Sequence, residues 1–232
     1  MLSPNGVSES DVIMKIIRCI IGSEMKYHEI SLDLETVSTD PKAAIISIGA
    51  VKFNLEDVDT VETLRKPDRT FYRTVSLESS IAHGGHMSAD TVRWWMKQSN
   101  AAKTSFDGEF VITDVLVDLA QFFDLHEFIE GSEERSKYVL WGNGSDFDNV
   151  VLNEAYKTAW GYSPIDFRLN ADLRTAKKLA LKIQPKTEFK TVPGADTLVP
   201  HSALDDAIFQ ALLAQRYWRI LNMTNIATDT KD

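Results

Sequence analysis

Asp33 and Glu35 stand two residues apart in a stretch that alternates in polarity. Ile30, Leu32 and Leu34 fall on one face of an extended strand, and Ser31, Asp33 and Glu35 on the other. At about 3.3 Å of rise per residue, the two carboxylates lie roughly 6–7 Å apart. Two acids side by side on a half-buried strand repel each other and are costly to desolvate, an arrangement that a bound cation neutralises. An edge strand with its polar face in water carries the same pair at little cost, and this stretch alone fits both readings.

Two later segments carry further candidates. Asp148 shares a helical stripe with Val151, Leu152 and Ala155 and so points inward, whereas Asp146 shares its stripe with Asn149 and Asn153 and points outward. An inward acid at a helix start has two explanations. It completes a capping box with Ser145, or it is a third metal ligand. Near the C-terminus Ser202 and Asp205 have capping-box spacing, which makes Ser202 the N-cap and leaves His201 on the incoming loop. Asp206 then lies in the first turn, where the helix dipole favours an anion. His83 and His86 read as solvated loop histidines, not ligands, and Asp172 as a cap at a strand–helix junction.

The elements that position these groups follow from periodicity. Residues 43–54 form a second strand buried on both faces and 70–76 a third, so the first half is an antiparallel meander. The acidic run 55–69 reads as a solvated loop. Short apolar strands are expected at 138–141 and 167–173. Helices are expected after Ser88, over 113–130, after Ser145, over 174–181 and from Ser202. Trp94 and Trp95 are neighbours on a helix and point about 100° apart, so one enters the core while the other sits at a rim. Packing explains both; the alternative is an aromatic platform for a nucleobase, where stacking contributes about 1–3 kcal/mol. The loop over 184–200 is long enough to be a lid or substrate loop.

Composition bounds the function. The 232 residues hold 34 acids against 25 bases, a net charge of −9, which excludes a general electrostatic grip on nucleic acid. It leaves room for an enzyme whose phosphate contacts run through divalent metals. Cys19 is the only cysteine, so no internal disulfide forms and a reducing compartment is expected. The apolar run 12–21 carries Lys15 and Arg18 and is too short to span a bilayer, so no membrane role is expected. Residues 1–26 read as an extension without an assigned role, and 225–232 as a polar tail.

Asp33-x-Glu35, then Asn143-x-x-x-Phe147-Asp148, then His201-x-x-x-x-Asp206-Ala207 resemble, in order and spacing, the three motifs of the DEDDh 3′→5′ exonucleases. The resemblance runs over about residues 26–218 and places that domain over 27–224. Residues 91–99 and 172–175 are similar to phage exonucleases of the T-even exonuclease A type. Residues 33–51 are similar to the exoribonucleases typified by mycobacterial RNase AS. A second acid at Asp205 departs from the pattern, so the choice of Asp206 rests on spacing.

The resemblance implies an α/β ribonuclease H-like fold, a mixed five-stranded sheet with helices on both faces. It implies that Asp33, Glu35, Asp148 and Asp206 hold two Mg²⁺ or Mn²⁺ ions, with Asp33 bridging, and that His201 is the general base. Imidazole is the side chain whose charge changes near neutral pH, which suits that task. Glu35 and the backbone at Thr36 are expected at the terminal 3′-OH, with Asn143, Trp94 and Trp95 as further substrate contacts. The expected partner is the 3′ end of single-stranded DNA, with RNA close behind, and the expected location is cytoplasmic, the host cytoplasm for a phage-encoded protein. Several relatives are homodimers. Two other classes compete: a nucleic-acid-binding module that kept the fold but lost catalysis, and a metal-dependent nucleotide phosphatase.

Overall fold

Strand β1 (Glu29–Thr36) lies third of five in a sheet of order β3-β2-β1-β4-β5. A computed structural model of the protein describes residues 25–125, 134–185 and 192–226. β1, β2 (Ile45–Phe53) and β3 (Thr70–Thr74) form the expected antiparallel meander. β4 (Val139–Gly142) and β5 (Asn170–Asp172) continue the sheet on the other side of β1 and run parallel to it. The central place of β1 removes the edge-strand reading: on the face bearing Ser31, Asp33 and Glu35, Ser31 and Glu35 are buried and Asp33 is half-buried.

The helices are α1 (Val61–Leu64), α2 (Leu77–Ala82), α3 (Ala89–Trp95), α4 (Asn100–Lys103), α5 (Ile112–Phe122), α6 (Asp148–Trp160), α7 (Leu173–Ile183) and α8 (Ala203–Ile226). Ile30, Leu32 and Leu34 of β1 pack with Val115, Leu116 and Leu119 of α5 and with Val151, Leu152 and Tyr156 of α6. On the opposite face Val51 and Phe53 of β2 meet Leu173 and Ala180 of α7 and Ala207, Ile208 and Ala211 of α8. Each fully buried aliphatic side chain contributes about 1.5–3 kcal/mol. The sheet is thus mixed, five-stranded and covered on both faces, as the resemblance implied.

Gly49 sets how close α8 comes. It pairs with Asp33 across β1 and β2. A Cβ on Gly49 would lie 2.1 Å from the Ala203 carbonyl carbon, so the first turn of α8 rests on bare strand backbone. Any larger residue would push that turn away from Asp33.

Several local expectations change. Residues 55–69 are not simply solvated: Val61 and Leu64 are buried, and Arg69 forms an enclosed bidentate pair with Asp59 at 2.8 Å. Ser145 does not cap α6; the helix opens at Asp148, and the Ser145 N–H goes to Asp172 at 2.9 Å. Asp172 does cap α7, accepting the Thr175 N–H at 2.7 Å. Asn149, expected outward, is fully buried and donates to Leu140 O and to Asn170 Oδ1. The fifth strand is only three residues long because 167–169 form a 3₁₀ turn. The His83–His86 segment is tied to β2's approach, with the Ala44 N–H donating to His86 O at 2.9 Å. Residues 1–24 of the expected extension over 1–26 lie outside the described residues, as do 126–130 of the expected α5 region, 186–191 of the long loop and 227–232 of the tail.

Candidate active site

β1 and β4 run parallel only through Ser31 and Trp141, after which β4 ends. Beyond that point β1 has no strand beside it on this flank, and a crevice opens at the carboxyl ends of the two strands, the usual place for a ligand in such sheets. Asp148, the first residue of α6, fills the gap in hydrogen bonding. Its carboxylate accepts the Leu34 N–H at 3.2 Å. The inward acid at this helix start is therefore fixed by β1, not by a capping box.

A cavity of about 450 Å³ occupies the crevice. Its lining includes Asp33, Glu35, Asn143, Asp148, His201 and Asp206, so three distant segments of the chain converge there. Asp205, the neighbouring acid, turns away: it pairs with Arg65 at 2.7 Å and accepts the Val199 N–H at 2.8 Å. Those bonds anchor the loop entering α8, and they take the place of the capping box expected with Ser202. Ser202 still precedes the helix, and its carbonyl accepts the Asp206 N–H at 2.8 Å.

His201 adopts a left-handed backbone, with φ of +62°. This conformation costs a β-carbon-bearing residue energy, of order 1–3 kcal/mol where strained, and recurs at functional sites. The Asp206 carboxylate holds it by accepting the His201 N–H at 2.9 Å. Side-chain ligand atoms of Glu35, His201 and Asp206 all lie within 4.8 Å of one another. The imidazole is not loose: it meets the Trp94 ring edge-on, with centroids 4.9 Å apart.

The carboxyls feel each other. Burial, then the charges of Asp206 and Asp148, pushes Glu35 up to about 8. Burial pushes Asp148 up to about 7, against the Leu34 N–H that favours its ionised form. Burial and then Asp148, Glu35 and Asp206 drive Asp33 well above the carboxylate range. Asp206 is raised by burial and held back by the His201 N–H. Four acids that disfavour each other's ionisation at one cavity are a site short of positive charge.

Trp94 and Trp95 divide as the helix geometry required. Trp94 is 41% exposed and lines a second cavity, of about 480 Å³, with Glu35, Thr36, Ser38 and Thr91. Leu34, Glu35 and Phe147 line both cavities, so the two adjoin. Trp95 is 2% exposed, and its indole N–H donates to the Thr36 carbonyl at 2.8 Å. The substrate contact expected of Trp95 gives way to an anchoring role, because its ring is enclosed by Trp94 and Phe106.

Sequence reasoning missed Gln210. It lies one turn after Asp206 on α8, is 5% exposed, and donates its amide to Asp33 Oδ1 at 2.7 Å. Its Oε1 has no hydrogen-bond partner among the described residues. The i, i+4 relation to Asp206 was the available signal. Arg174 and Lys177 of α7 also line the acidic cavity and were not singled out.

A family model described as the 3'-5' exoribonuclease Rv2179c-like domain matches residues 28–218. The chain belongs to this family. It is a 3′→5′ exonuclease by family, and its sheet and helices share the fold of several solved structures. One similar structure is S. pombe Pop2p in a Mg²⁺- and Mn²⁺-bound form, at 15% identity and a TM-score of 0.50, covering 95% of this chain and 91% of that one. Another is the E. coli ExoI–ssDNA complex in a zinc-bound form, at 12% identity and a TM-score of 0.52, covering 86% of this chain and 43% of that one. A third is exonuclease I from Methylocaldum szegediense, at 12% identity and a TM-score of 0.50, with 85% and 42% covered. The chain thus spans less than half the length of either exonuclease I. Comparison with curated proteins gives no match. Among the described residues, no helix is long and apolar enough to cross a membrane.

Proposed function

We propose that this exonuclease depends on divalent metal and releases nucleoside 5′-monophosphates one at a time from the 3′ end of single-stranded nucleic acid. The observation that carries the reading is the convergence of Asp33, Glu35, Asp148, Asp206 and His201 on one cavity. The residues fit a metal. Their carboxylates are the hard oxygen donors that Mg²⁺ and Mn²⁺ prefer, and their mutual repulsion is the charge such ions relieve. Asp33, Glu35, Asp148 and Asp206 would hold two ions, which when bound supply charge neutralisation at the scissile phosphate.

The chain's own groups do the rest. His201 takes a proton from the attacking water, its ring steadied by Trp94 and its backbone by Asp206. Water oxygen bonds to phosphorus, the P–O3′ bond breaks, and the departing 3′ oxygen takes a proton from solvent water. Glu35 and the Thr36 backbone, at the junction of the two cavities, receive the terminal 3′-OH. Trp94 offers its exposed ring to a base. Asn143, exposed where β4 ends, lies at the rim for a further polar contact.

The family's described activity is on RNA, and this favours RNA over the DNA that the phage likeness favoured. Matched labelled RNA and DNA oligomers, each with a free or blocked 3′ end, test the proposal with Mg²⁺ or Mn²⁺ and with chelator. Metal-dependent laddering from free 3′ ends with release of nucleoside 5′-monophosphates is expected. Nucleoside release indicates a phosphatase, and binding without cleavage an inactive module.

A further inference from the structure

The chain carries a net charge of −9, yet α7, LRTAKKLALKI, holds Arg174, Lys177, Lys178 and Lys182 and no acid. Relative to Arg174, the three lysines lie at about −60°, +40° and +80° around a helix, so the four cations form one stripe about 140° wide. All four residues are exposed, while Leu173 and Ala180 on the other side are buried. Half of the described cations elsewhere are committed: Lys26, Lys52, Arg65, Arg69, Arg73, Arg93, Lys157 and Arg168 each pair with a carboxylate. Among the described residues neither Lys178 nor Lys182 forms an ion pair. The stripe has a direction. Arg174 and Lys177 line the acidic cavity, and Lys178 and Lys182 continue away from it.

We infer that the cationic stripe of α7 is the track for the phosphates of a single-stranded substrate upstream of its 3′ end. The inference rests on the function proposed above. Its physical basis is charge. A substrate end must approach a protein that repels it, and into a cavity lined by four acids. A cationic row leading from that cavity gives the polyanion a path and a polarity. From Arg174 to Lys182 the row is about 12 Å long, which spans about two to four phosphates at 3.4 Å or more each. A solvated basic helix face would be indifferent to substrate length; a track is not.

The test compares Lys178→Gln/Lys182→Gln with a charge-matched control, Lys26→Gln/Lys66→Gln, whose residues precede β1 and β3 at the opposite end of the sheet. Affinity for a labelled 12-mer is measured by anisotropy across a salt series in an Asp148→Asn background. KM is measured in the active protein for the 12-mer and for a dinucleotide. The α7 pair should lower the salt slope of binding by about 1.4, about 0.7 per phosphate no longer neutralised. It should raise KM more for the 12-mer than for the dinucleotide, and Lys178→Arg/Lys182→Arg should restore both. An unchanged slope, an equal KM rise on both substrates, or an equal effect of the control pair overturns the track. Circular dichroism checks that α7 is intact. If the parent protein shortens neither substrate, the proposed function fails; if it shortens both while the variants match it, the track alone fails.

Discussion

Gln210 donates its side-chain amide to Asp33 across the gap between α8 and β1, at 2.7 Å. The bond ties the helix that carries Asp206 to the strand that carries Asp33 and Glu35. Groups that orient metal-binding carboxylates typically matter 10–100-fold for ion affinity or activity. Gln210→Leu should weaken Mn²⁺ binding by about that factor while the protein stays folded. Titration calorimetry with Mn²⁺ measures it, and unchanged affinity would mean that Asp33 is held by its strand alone.

Stability should depend on pH in a direction set by the site. Glu35 ionises in the unfolded chain near its ordinary value of 4.5 but in the folded one near 8; for Asp148 the values are 3.8 and about 7. Between those limits the folded state holds more protons, so its stability falls as pH rises from about 4 to 8. With chelator present, the melting temperature should drop over that window. Mg²⁺ should raise it more at pH 8 than at pH 5.5, because metal competes with those protons. Melting curves that show equal Mg²⁺ stabilisation at both pH values would contradict the shared acidic site.

Turnover should depend on His201 more than binding does. His201→Gln should lose about 10²–10⁴-fold in kcat, the usual contribution of a general base, with little change in oligonucleotide affinity. Single-turnover kinetics at saturating enzyme separate the two. A loss confined to KM would assign His201 to substrate binding instead.

Trp94 touches the His201 ring and lines the second cavity, so its removal should be felt twice. Trp94→Ala should raise KM, by the factor that about 1–3 kcal/mol of stacking implies, and also lower kcat by freeing the imidazole. Trp94→Phe should recover part of both. An effect on KM alone would leave His201 braced by Asp206 without help.

How far the sequence carried can be traced residue by residue. Asp33 and Glu35 were legible because a strand's period of two puts them on one face whatever the fold. Asp148 was legible because its stripe is apolar. Asp205 and Asp206 were not separable by composition: Arg65, 140 positions away, decides which acid turns from the cavity. Asn149 was misread because a polar stripe looks solvated until the strand ends it bonds, Leu140 and Asn170, are in place. α1, α2 and α4 span only four to six residues, too few for a helical period to show. Trp95 differs from Trp94 only by rotation about α3, and which of the two is buried depends on where Thr36 lies.

The contact of Ala203 with Gly49 is backbone against backbone, and that has a consequence for how this protein tolerates change. Interlocked side chains can be traded for others of similar bulk, each trade moving the layers slightly. A hard stop of main-chain atoms has one setting, independent of what fills the hydrophobic layers around it. Repacking of the hydrophobic layers therefore leaves the spacing between the opening strand and the helix that carries Asp206 fixed at this one point.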